Sequence, residues 1–247
     1  MSLDLHIKTI NETTEVNDAF DKFQSIMAQY GYTRVAYSLV TDHPSLGLQK
    51  QHGLISSYPS DWMKYYAEKQ LMQRDPVVYG ILNNRSPFYW DDLKSNENIN
   101  DQDKEILFKG QEAGIKSGVG IPLFGLGGEI VGLGLASDVD NKNPDYEVLA
   151  QIFLLANIFH QKYRAMLTKP FVSKITQKEK DILSWASESK TDDEIGTLMG
   201  ISVNTVRYHW KNIFKKLEAY GRYVAISKAI TMGLIEPRFV VTHYHSR

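Results

Sequence analysis

One run near the C-terminus, from Ile201 to Leu217, most constrains what this chain can fold into. Apolar residues recur in it at helical spacing, and Ser202 precedes them as a good N-cap. This apolar stripe consists of Val206, Trp210, Ile213, Phe214 and Leu217. Cations follow the opposite side at every fourth residue: Arg207, Lys211 and Lys215. The pattern predicts a helix whose back packs on a small core while its front faces a polyanion.

The segments around this basic helix extend the pattern. Upstream, Thr191 to Gly200 predicts a short helix that ends at the glycine, and the order helix, glycine-containing turn, basic helix is typical of a helix-turn-helix. Thr176 to Glu179 predicts a capping box that opens a helix over 177–187. Another helix is expected from about Arg222 to Met232, with Gly233 as its stop. Taken alone, the basic helix also fits an ordinary solvated face, but four such helices together predict a complete small DNA-binding domain.

Length and composition set the frame for the rest of the chain. The 247 residues suit two domains, and 43% hydrophobic residues suffice for packed cores. No apolar run approaches the roughly 18 residues of a membrane helix, and the start lacks the form of a secretory signal. With no cysteine, disulfides, thiolate metal sites and cysteine nucleophiles are excluded, which fits a cytoplasmic protein.

Charge divides unevenly between the two parts of the chain. Residues 174–247 hold 12 Lys/Arg and 8 Asp/Glu, a net charge of +4, whereas residues 1–173 hold 16 and 21, a net charge of −5. A basic C-terminal part beside an acidic N-terminal part suits a DNA-contacting domain joined to a domain that does not touch DNA.

The N-terminal part mixes helical and strand patterns. Two strands, 118–124 and 129–137, are joined by a glycine-rich hairpin signal at 125–128, and a further strand is expected over 33–40. Helices are predicted over about 14–30, from 59–60, from 75–76, over 101–113 and over 145–166. We therefore expect an α+β protein: an N-terminal α/β/α sensor domain with an antiparallel sheet over 1–166, a linker over 167–173, and an all-α four-helix helix-turn-helix domain over 174–247.

Aromatic residues and one carboxylate cluster between residues 58 and 90. Trp62 and Tyr66 lie one helical turn apart, and Asp75 precedes Pro76 among apolar residues. An indole only donates hydrogen bonds and an ionised carboxylate only accepts them, so a cavity lined by both suits a mostly apolar ligand with a carbonyl and an N–H. The residues alone equally allow ordinary core aromatics and an N-capping Asp75. The cluster is Tyr58, Trp62, Tyr66, Asp75 and Trp90.

No set of residues suggests catalysis. The sequence lacks a nucleophile–base pair, a phosphate loop and metal-ligand spacing, and the glycines at 125–128 lie between two strands. We therefore predict neither an enzyme nor a cofactor or metal site. A phosphorylation-controlled response regulator is a weaker alternative, because the N-terminal pattern has no acidic receiver pocket.

Two groups of motifs carry a family resemblance. In the N-terminal part they are Tyr58-Pro-Ser-Asp-Trp62, Tyr66, Asp75-Pro76, Trp90, Ser117-Gly118-Val-Gly-Ile-Pro122 and Leu135-Ala-Ser-Asp138. In the C-terminal part they are Glu179, Leu183, Lys190-Thr191, Glu194-Ile195 and Asn204-Thr-Val206. With these motifs the chain resembles, over nearly its full length, the LuxR family of quorum-sensing transcription factors, which join an acyl-homoserine-lactone-binding domain to a helix-turn-helix like that of the NarL/FixJ group.

The resemblance implies a role for each clustered residue. Trp62 would donate to the lactone carbonyl of an N-acyl-homoserine lactone, Tyr58 to its acyl carbonyl, and Asp75 would accept its amide N–H. Tyr66 and Trp90 would form apolar walls. In the basic helix, Arg207 and Lys211 match positions that reach base edges. The positions expected to contact phosphates are Lys190, Asn204, Thr205 and Tyr208.

Two positions depart from the family pattern. Gly134 stands where the family usually has a Ser or Thr aimed at the ligand, and Ser189 stands where it has glycine. With Gly120 and Gly132 on the same hairpin, Gly134 leaves space, so we expect a roomy pocket for acyl chains of roughly eight carbons or more. The alternative is that these glycines ease the twist of the sheet or close packing against a helix. Gly134 also keeps an alternative open, namely a solo regulator that responds to a non-lactone signal or acts without ligand.

The implied partners follow from the DNA-binding part. We expect a cytoplasmic activator, not bound to a membrane, that acts as a homodimer on an inverted-repeat site in double-stranded DNA, with RNA polymerase as a further candidate partner. The helices suggested for the dimer interface are the last sensor helix and the last helix of the chain. Their apolar residues are Leu149, Ile152, Phe153, Ala156, Phe159, Ala225, Ala229 and Met232.

Overall fold

The computed structural model describes residues 2–41, 51–125, 128–140, 145–167 and 175–235. Two compact units make up the chain, an N-terminal unit that extends to residue 169 and a C-terminal unit that begins at residue 170. The predicted linker, 167–173, lies almost wholly outside the described residues, and the predicted domain boundaries therefore stay predictions.

The N-terminal unit is an α+β fold, as predicted, built around one antiparallel sheet. Its strands are β1 (Arg34–Leu39), β2 (Gln51–Ser56), β3 (Phe88–Tyr89), β4 (Ser117–Phe124) and β5 (Ile130–Ser137). Its helices are α1 (Leu3–Asn11), α2 (Val16–Gln29), α3 (Ser60–Glu68), α4 (Pro76–Asn83), α5 (Trp90–Lys94), α6 (Asp101–Glu112) and α7 (Tyr146–Leu167). The strand order is β2-β1-β5-β4-β3, so the predicted hairpin β4–β5 forms the centre of the sheet together with β1.

The sheet presents different side chains on its two faces, because successive residues of a strand point in opposite directions. On one face, large apolar side chains pack against α1, α2 and α7. They are Val35, Tyr37, Leu39, Val119, Ile121, Leu123, Val131, Leu133 and Leu135. The other face carries small residues, beneath α3, α4, α5 and α6. They are Ala36, Ser38, Gly118, Gly120, Gly132, Gly134 and Ala136. This small-residue face leaves space for other side chains or a ligand.

Local signals start the helices that flank this face. Asp75 precedes α4 and its carboxylate accepts the Val77 N–H at 2.8 Å, while Pro76 takes the first helical position. Asn100 caps α6 in the same way through the Asp103 N–H. The alternative reading of Asp75 as an N-cap is thus confirmed, and it does not conflict with a place in a cavity.

The C-terminal unit consists, in its described part, of four helices in the predicted order. They are α8 (Gln177–Ser187), α9 (Asp192–Met199), α10 (Val203–Leu217) and α11 (Arg222–Thr231). The predicted stripe of α10 faces the core of the unit with α8, α9 and α11, where Val206, Trp210 and Ile213 are buried. Gly200 ends α9 in a left-handed conformation (φ 66°), which a glycine adopts without strain.

Four elements were not predicted from the sequence, namely α1, β2, β3 and α5, which are short or lack a regular apolar period. The two helices suggested for a dimer interface stay a prediction. Part of each apolar stripe was expected to be core, and most of the residues named for these helices are buried within their own units. Those residues are Leu149, Ile152, Ala156, Phe159, Ala225 and Ala229.

Candidate functional site

A cavity lies between the small-residue face of the sheet and helices α3, α4, α5 and α6. All six residues predicted for ligand binding line it: Tyr58, Trp62, Tyr66, Asp75, Trp90 and Gly134. Gly132, predicted to leave space beside Gly134, lines the cavity as well. The other lining residues were not predicted, among them Ser38, Val40, Val77, Val78, Ile81, Ile106 and Leu107. Only Ser38 among these had a signal, its place on the predicted strand over 33–40.

Asp75 lies in the cavity wall, where donors of the protein hold its carboxylate. The Tyr66 hydroxyl donates to Oδ2 at 2.7 Å, and the Val77 N–H donates to Oδ1 at 2.8 Å. Burial raises the pKa of Asp75, and the hydrogen bonds from Tyr66 and from the backbone N–H groups of Val77 and Val78 oppose that shift. Tyr66 is therefore more than the predicted apolar wall, because it also orients the carboxylate. A carboxylate has about four lone-pair sites, so acceptor capacity remains for a ligand N–H.

Three aromatic donors face or border the same space. Within the described part of the chain, neither the Tyr58 hydroxyl nor the Trp62 indole N–H has a hydrogen-bond partner. The Trp90 side chain is 6% exposed, and its Nε1 is buried without a partner among the described residues. A buried donor left unpaired costs about 1–3 kcal/mol. Burial also raises the pKa of Tyr58, so its hydroxyl keeps its proton as a donor.

Two glycines of the sheet leave room for the rings of Trp90 and Tyr58. Cδ2 and Cε3 of Trp90 lie 2.7 Å from the position that a Cβ at Gly118 would take, and the Tyr58 hydroxyl lies 2.7 Å from the corresponding position at Gly134. Any side chain at either position would therefore displace an aromatic ring. The Tyr58 hydroxyl thus lies where a side chain of residue 134 would begin.

The expectation of a roomy pocket is wrong for Gly120. Atom Cζ of Phe88 lies 2.3 Å from the Cβ position there, so Phe88 already occupies the space. The cavity itself encloses about 60 Å³, well below the 300 Å³ or so of a typical small-molecule pocket. A ligand of eight carbons would need side chains to move apart. A second cleft of about 550 Å³ shares Val40, Asp75 and Val78 with the cavity and offers room beyond it.

Five of the six predicted DNA-contacting residues lie on α10, and the sixth, Lys190, precedes α9. Arg207, Lys211 and Asn204 are exposed on α10, Tyr208 on the same helix is 62% exposed, and Lys190 lies just before α9. Thr205 differs from these exposed residues, because it is half-buried and its hydroxyl pairs with that of Ser202 at 2.9 Å. The arrangement presents cations and amides on one helix surface, as the sequence predicts.

Hydrogen bonds that the sequence reading partly missed hold this surface in place. Both predicted helix starts are capping boxes, in which Thr176 pairs with Glu179 and Thr191 with Glu194. The Lys216 ammonium also donates to both oxygens of Glu179, at 2.8 and 2.6 Å. Ser189 has φ 63°, so the position where the family pattern has glycine is left-handed here too.

A ligand cavity in one unit and a helix-turn-helix in the other define a ligand-responsive transcriptional regulator. Comparison with known proteins agrees. The family described as "Autoinducer binding domain" matches residues 15–163, and the family "Bacterial regulatory proteins, luxR family" matches residues 173–229. The chain therefore belongs to the LuxR family and joins an autoinducer-binding domain to a LuxR-type DNA-binding domain.

Individual proteins show the same relationship. The transcriptional activator VanR of Vibrio anguillarum is 34% identical over 189 residues, 73% of this chain and 76% of VanR. RpaR of Rhodopseudomonas palustris, a quorum sensing-dependent transcriptional regulator, is 30% identical over 230 residues, 91% of each chain.

Solved structures share the fold. A crystal structure of SdiA from Escherichia coli has a TM-score of 0.77 at 20% identity and covers 94% of this chain and 97% of SdiA. SdiA in complex with octanoyl-rac-glycerol has a TM-score of 0.73 at 20% identity, with 94% of both chains covered. Within the described ranges, no helix is both long and apolar enough to cross a membrane.

Proposed function

We propose that the N-terminal unit binds an N-acyl-homoserine lactone and thereby controls DNA binding by the C-terminal unit. The observation that carries the proposal is the convergence of two unpaired donors, Tyr58 and Trp62, with the Asp75 carboxylate on one apolar cavity. A lactone signal has the complementary groups, two carbonyls and one amide N–H. Trp62 donates to the lactone carbonyl, Tyr58 to the acyl carbonyl, and Asp75 accepts the amide N–H.

The apolar part of the signal contacts the remaining walls. Tyr66 and Trp90 enclose the head group, and Gly134, which has no side chain, leaves room for it above the sheet. The acyl chain extends past Val40 and Val78 toward the larger cleft, which they share with the cavity. Each methylene that leaves water there adds about 0.8 kcal/mol to binding.

Calorimetric titration of the full chain with N-octanoyl-homoserine lactone tests the ligand. We expect Asp75→Asn and Trp62→Phe each to weaken binding by about tenfold or more. Trp62→Phe removes an indole donor, and Asp75→Asn replaces an anionic acceptor with an amide, one of whose two ends is a donor. Asp61→Asn, an exposed change beside Trp62, is the matched control and should bind like the wild type. Unchanged affinity in both site variants would refute the assignment.

The C-terminal unit supports a matching proposal for DNA. Arg207 and Lys211 read base edges in the major groove, while Lys190, Asn204, Thr205 and Tyr208 contact phosphates. The residues from 174 onward carry a net charge of only +4, so one copy offers few phosphate contacts and we propose a homodimer on an inverted-repeat site. Such an activator works in the cytoplasm beside RNA polymerase. Sedimentation of the DNA complex should give two chains per palindrome; one chain would contradict the dimer.

A second candidate keeps DNA binding but changes the signal. Gly134 lacks the hydroxyl that the family pattern aims at a lactone, and the structurally similar SdiA is known in complex with octanoyl-rac-glycerol. Both support a receptor for another acylated molecule. Mass spectrometry of an organic extract separates the candidates, using protein purified from cells fed mixed lactones. A recovered lactone supports the first proposal, whereas a glycerol ester alone supports the second.

A further inference from the structure

The Asp192 carboxylate connects three helices of the DNA-binding unit. It lies at the first position of α9, and its Oδ1 accepts two hydrogen bonds, from Trp210 Nε1 of α10 at 3.0 Å and from Arg222 Nη1 of α11 at 3.1 Å. Arg222 also donates to the backbone oxygen of Lys190, and its Cζ lies 5.1 Å from the centre of a Trp210 ring. With Oδ1 held by two donors, the carboxylate has a fixed orientation.

The other carboxylate oxygen faces the recognition surface. Oδ2 of Asp192 lies 3.9 Å from Nε of Arg207, whose side chain is 67% exposed. Within the described residues, Asp192 is the only carboxylate at ion-pair distance from this guanidinium. The contact is too long for a hydrogen bond, but it places the Arg207 guanidinium beside a negative charge whose orientation is fixed.

These contacts have opposing effects on DNA binding. A negative charge near the phosphates weakens attraction to any DNA. A guanidinium that is already oriented, however, loses less conformational freedom when it binds a guanine edge through two hydrogen bonds. The first effect is the same for every sequence, whereas the second operates only at the correct base.

We propose that Asp192 is a positioning residue for base readout, which orients Arg207 and lowers nonspecific affinity in exchange for sequence specificity. The proposal rests on the base-reading role proposed above for Arg207. Neither the capping residue Thr191 nor the adjacent Asp193 shares this role. The Asp193 side chain makes no hydrogen bond or ion pair within the described part of the chain.

The test compares Asp192→Asn with the matched control Asp193→Asn in the full chain. The probes are a duplex selected from random sequence by the wild-type protein and a scrambled duplex of the same composition, titrated by fluorescence anisotropy. The Asn amide oxygen can still accept from Trp210 and Arg222, so the fold should persist. We expect Asp192→Asn to bind scrambled DNA more tightly and to lose about two- to fivefold in the specific-to-scrambled affinity ratio. Asp193→Asn should raise both affinities alike and keep the ratio.

Two other results would overturn the proposal. Equal gains on both duplexes in Asp192→Asn would make the residue a simple repulsive charge. Equal losses, with faster hydrogen exchange in α9 to α11, would make it a purely structural residue. Asp192→Glu is a second test in case the Asn variant misfolds, because it keeps the charge but moves the carboxylate. It should bind scrambled DNA like the wild type and still lose specificity.

A double mutant separates this inference from the role of Arg207. In an Arg207→Ala background, Asp192→Asn should leave the affinity ratio unchanged, because the side chain it orients is gone. A full further loss of specificity there would refute the positioning role alone. If Arg207→Ala itself keeps the wild-type ratio, the base-reading role of Arg207 is wrong, and the inference fails with it.

Discussion

The Glu179 carboxylate in the DNA-binding unit and the Trp90 indole N–H in the sensor unit are both buried polar groups, yet their surroundings differ. Glu179 is 2% exposed and accepts hydrogen bonds from the Thr176 backbone and hydroxyl and from the Lys216 ammonium. The indole N–H of Trp90 has no partner among the described residues, and the donors of Tyr58 and Trp62 on the same cavity are also unpaired.

The difference matches what each unit has to do. A helix that reads DNA must hold its side chains in fixed positions, and paired polar groups supply that rigidity. A cavity that recognises a ligand needs donors that are free until the ligand arrives. We therefore expect the stability of the sensor unit to depend on ligand, and that of the DNA-binding unit to depend on its own ion pairs.

The largest effect should come from breaking the ion pair between the buried Glu179 carboxylate and the partly exposed Lys216 ammonium. Lys216→Met leaves the carboxylate without its cation, which costs about 3 kcal/mol, the lower end of the cost for a buried pair. Hydrogen exchange followed by mass spectrometry should show lost protection across α8 to α10 and unchanged protection in the sensor unit. Lys215→Met, an exposed neighbour on the same helix, should change little. Equal hydrogen-exchange protection in Lys216→Met and Lys215→Met would contradict the view that this ion pair stabilises the DNA-binding unit.

The carboxylates of the two units should respond to acid in opposite directions. Burial raises the pKa of Glu179, but hydrogen bonds from Lys216 and Thr176 outweigh burial, and the net pKa is lowered. The stabilisation that the ionised Glu179 gives the folded state is therefore lost as the pH falls below about 4.5. The pKa of Asp75 is raised by burial, so its contribution is greatest below about 3.8 and is lost as the pH rises through the raised value. Denaturant melts at pH 6 and pH 4 should show these opposite trends, with Glu179→Gln and Asp75→Asn each removing one.

Ligand binding should stabilise one unit more than the other. At a free lactone concentration of about 100 times Kd, the sensor unit should gain about 2.7 kcal/mol. Exchange should slow in the segments around α3 to α5, which contain the cavity donors, and much less in α8 to α11. Trp62→Phe should reduce this gain at the same ligand concentration. Equal slowing in both units would show that the DNA-binding unit is stabilised with the sensor.

A methyl group at Gly134 should weaken ligand binding by about 1 kcal/mol, because it meets the Tyr58 hydroxyl at 2.7 Å. Tyr58→Phe removes that hydroxyl, so Gly134→Ala should cost much less in a Tyr58→Phe background. Gly132→Ala is the control, since its methyl would meet Ile81 and Val40 instead, and Tyr58→Phe should not relieve it. Calorimetry on the four single and double variants measures the coupling; purely additive losses would contradict it.

The smallest effect concerns the backbone of the DNA-binding unit. Ser189 is left-handed, a conformation that costs a non-glycine residue about 1 kcal/mol. Ser189→Gly should therefore stabilise this unit by about 0.5–1 kcal/mol. Ser187→Gly, in the last turn of α8, should instead destabilise it. Thermal melts measure both changes in stability. They are followed by the fluorescence of Trp185 and Trp210 in a protein whose Trp62 and Trp90 are replaced by Phe. An unchanged melting temperature in Ser189→Gly would show that the backbone strain is relieved elsewhere.

The sequence alone located the features that depend on near neighbours. The capping box at Thr176, the glycine stop at Gly200 and the Asp75-Pro76 helix start each involve residues within about one turn of a helix. The motif match assigned six residues to one ligand site, and all six line one cavity, although the match gave Tyr66 and Trp90 only apolar roles.

Only the tertiary structure decided how distant residues share space. Lys216 and Glu179 lie 37 residues apart, and Asp192 bonds to Arg222 across 30 residues, so no local pattern predicts either pair. The same holds for the rings of Phe88 and Trp90, which fill the room that the hairpin glycines leave. The physical reason is that caps and turns depend on short-range hydrogen bonds, whereas cavity size and ion-pair partners depend on strand order, register and the packing of whole helices, which become fixed only when the chain closes on itself.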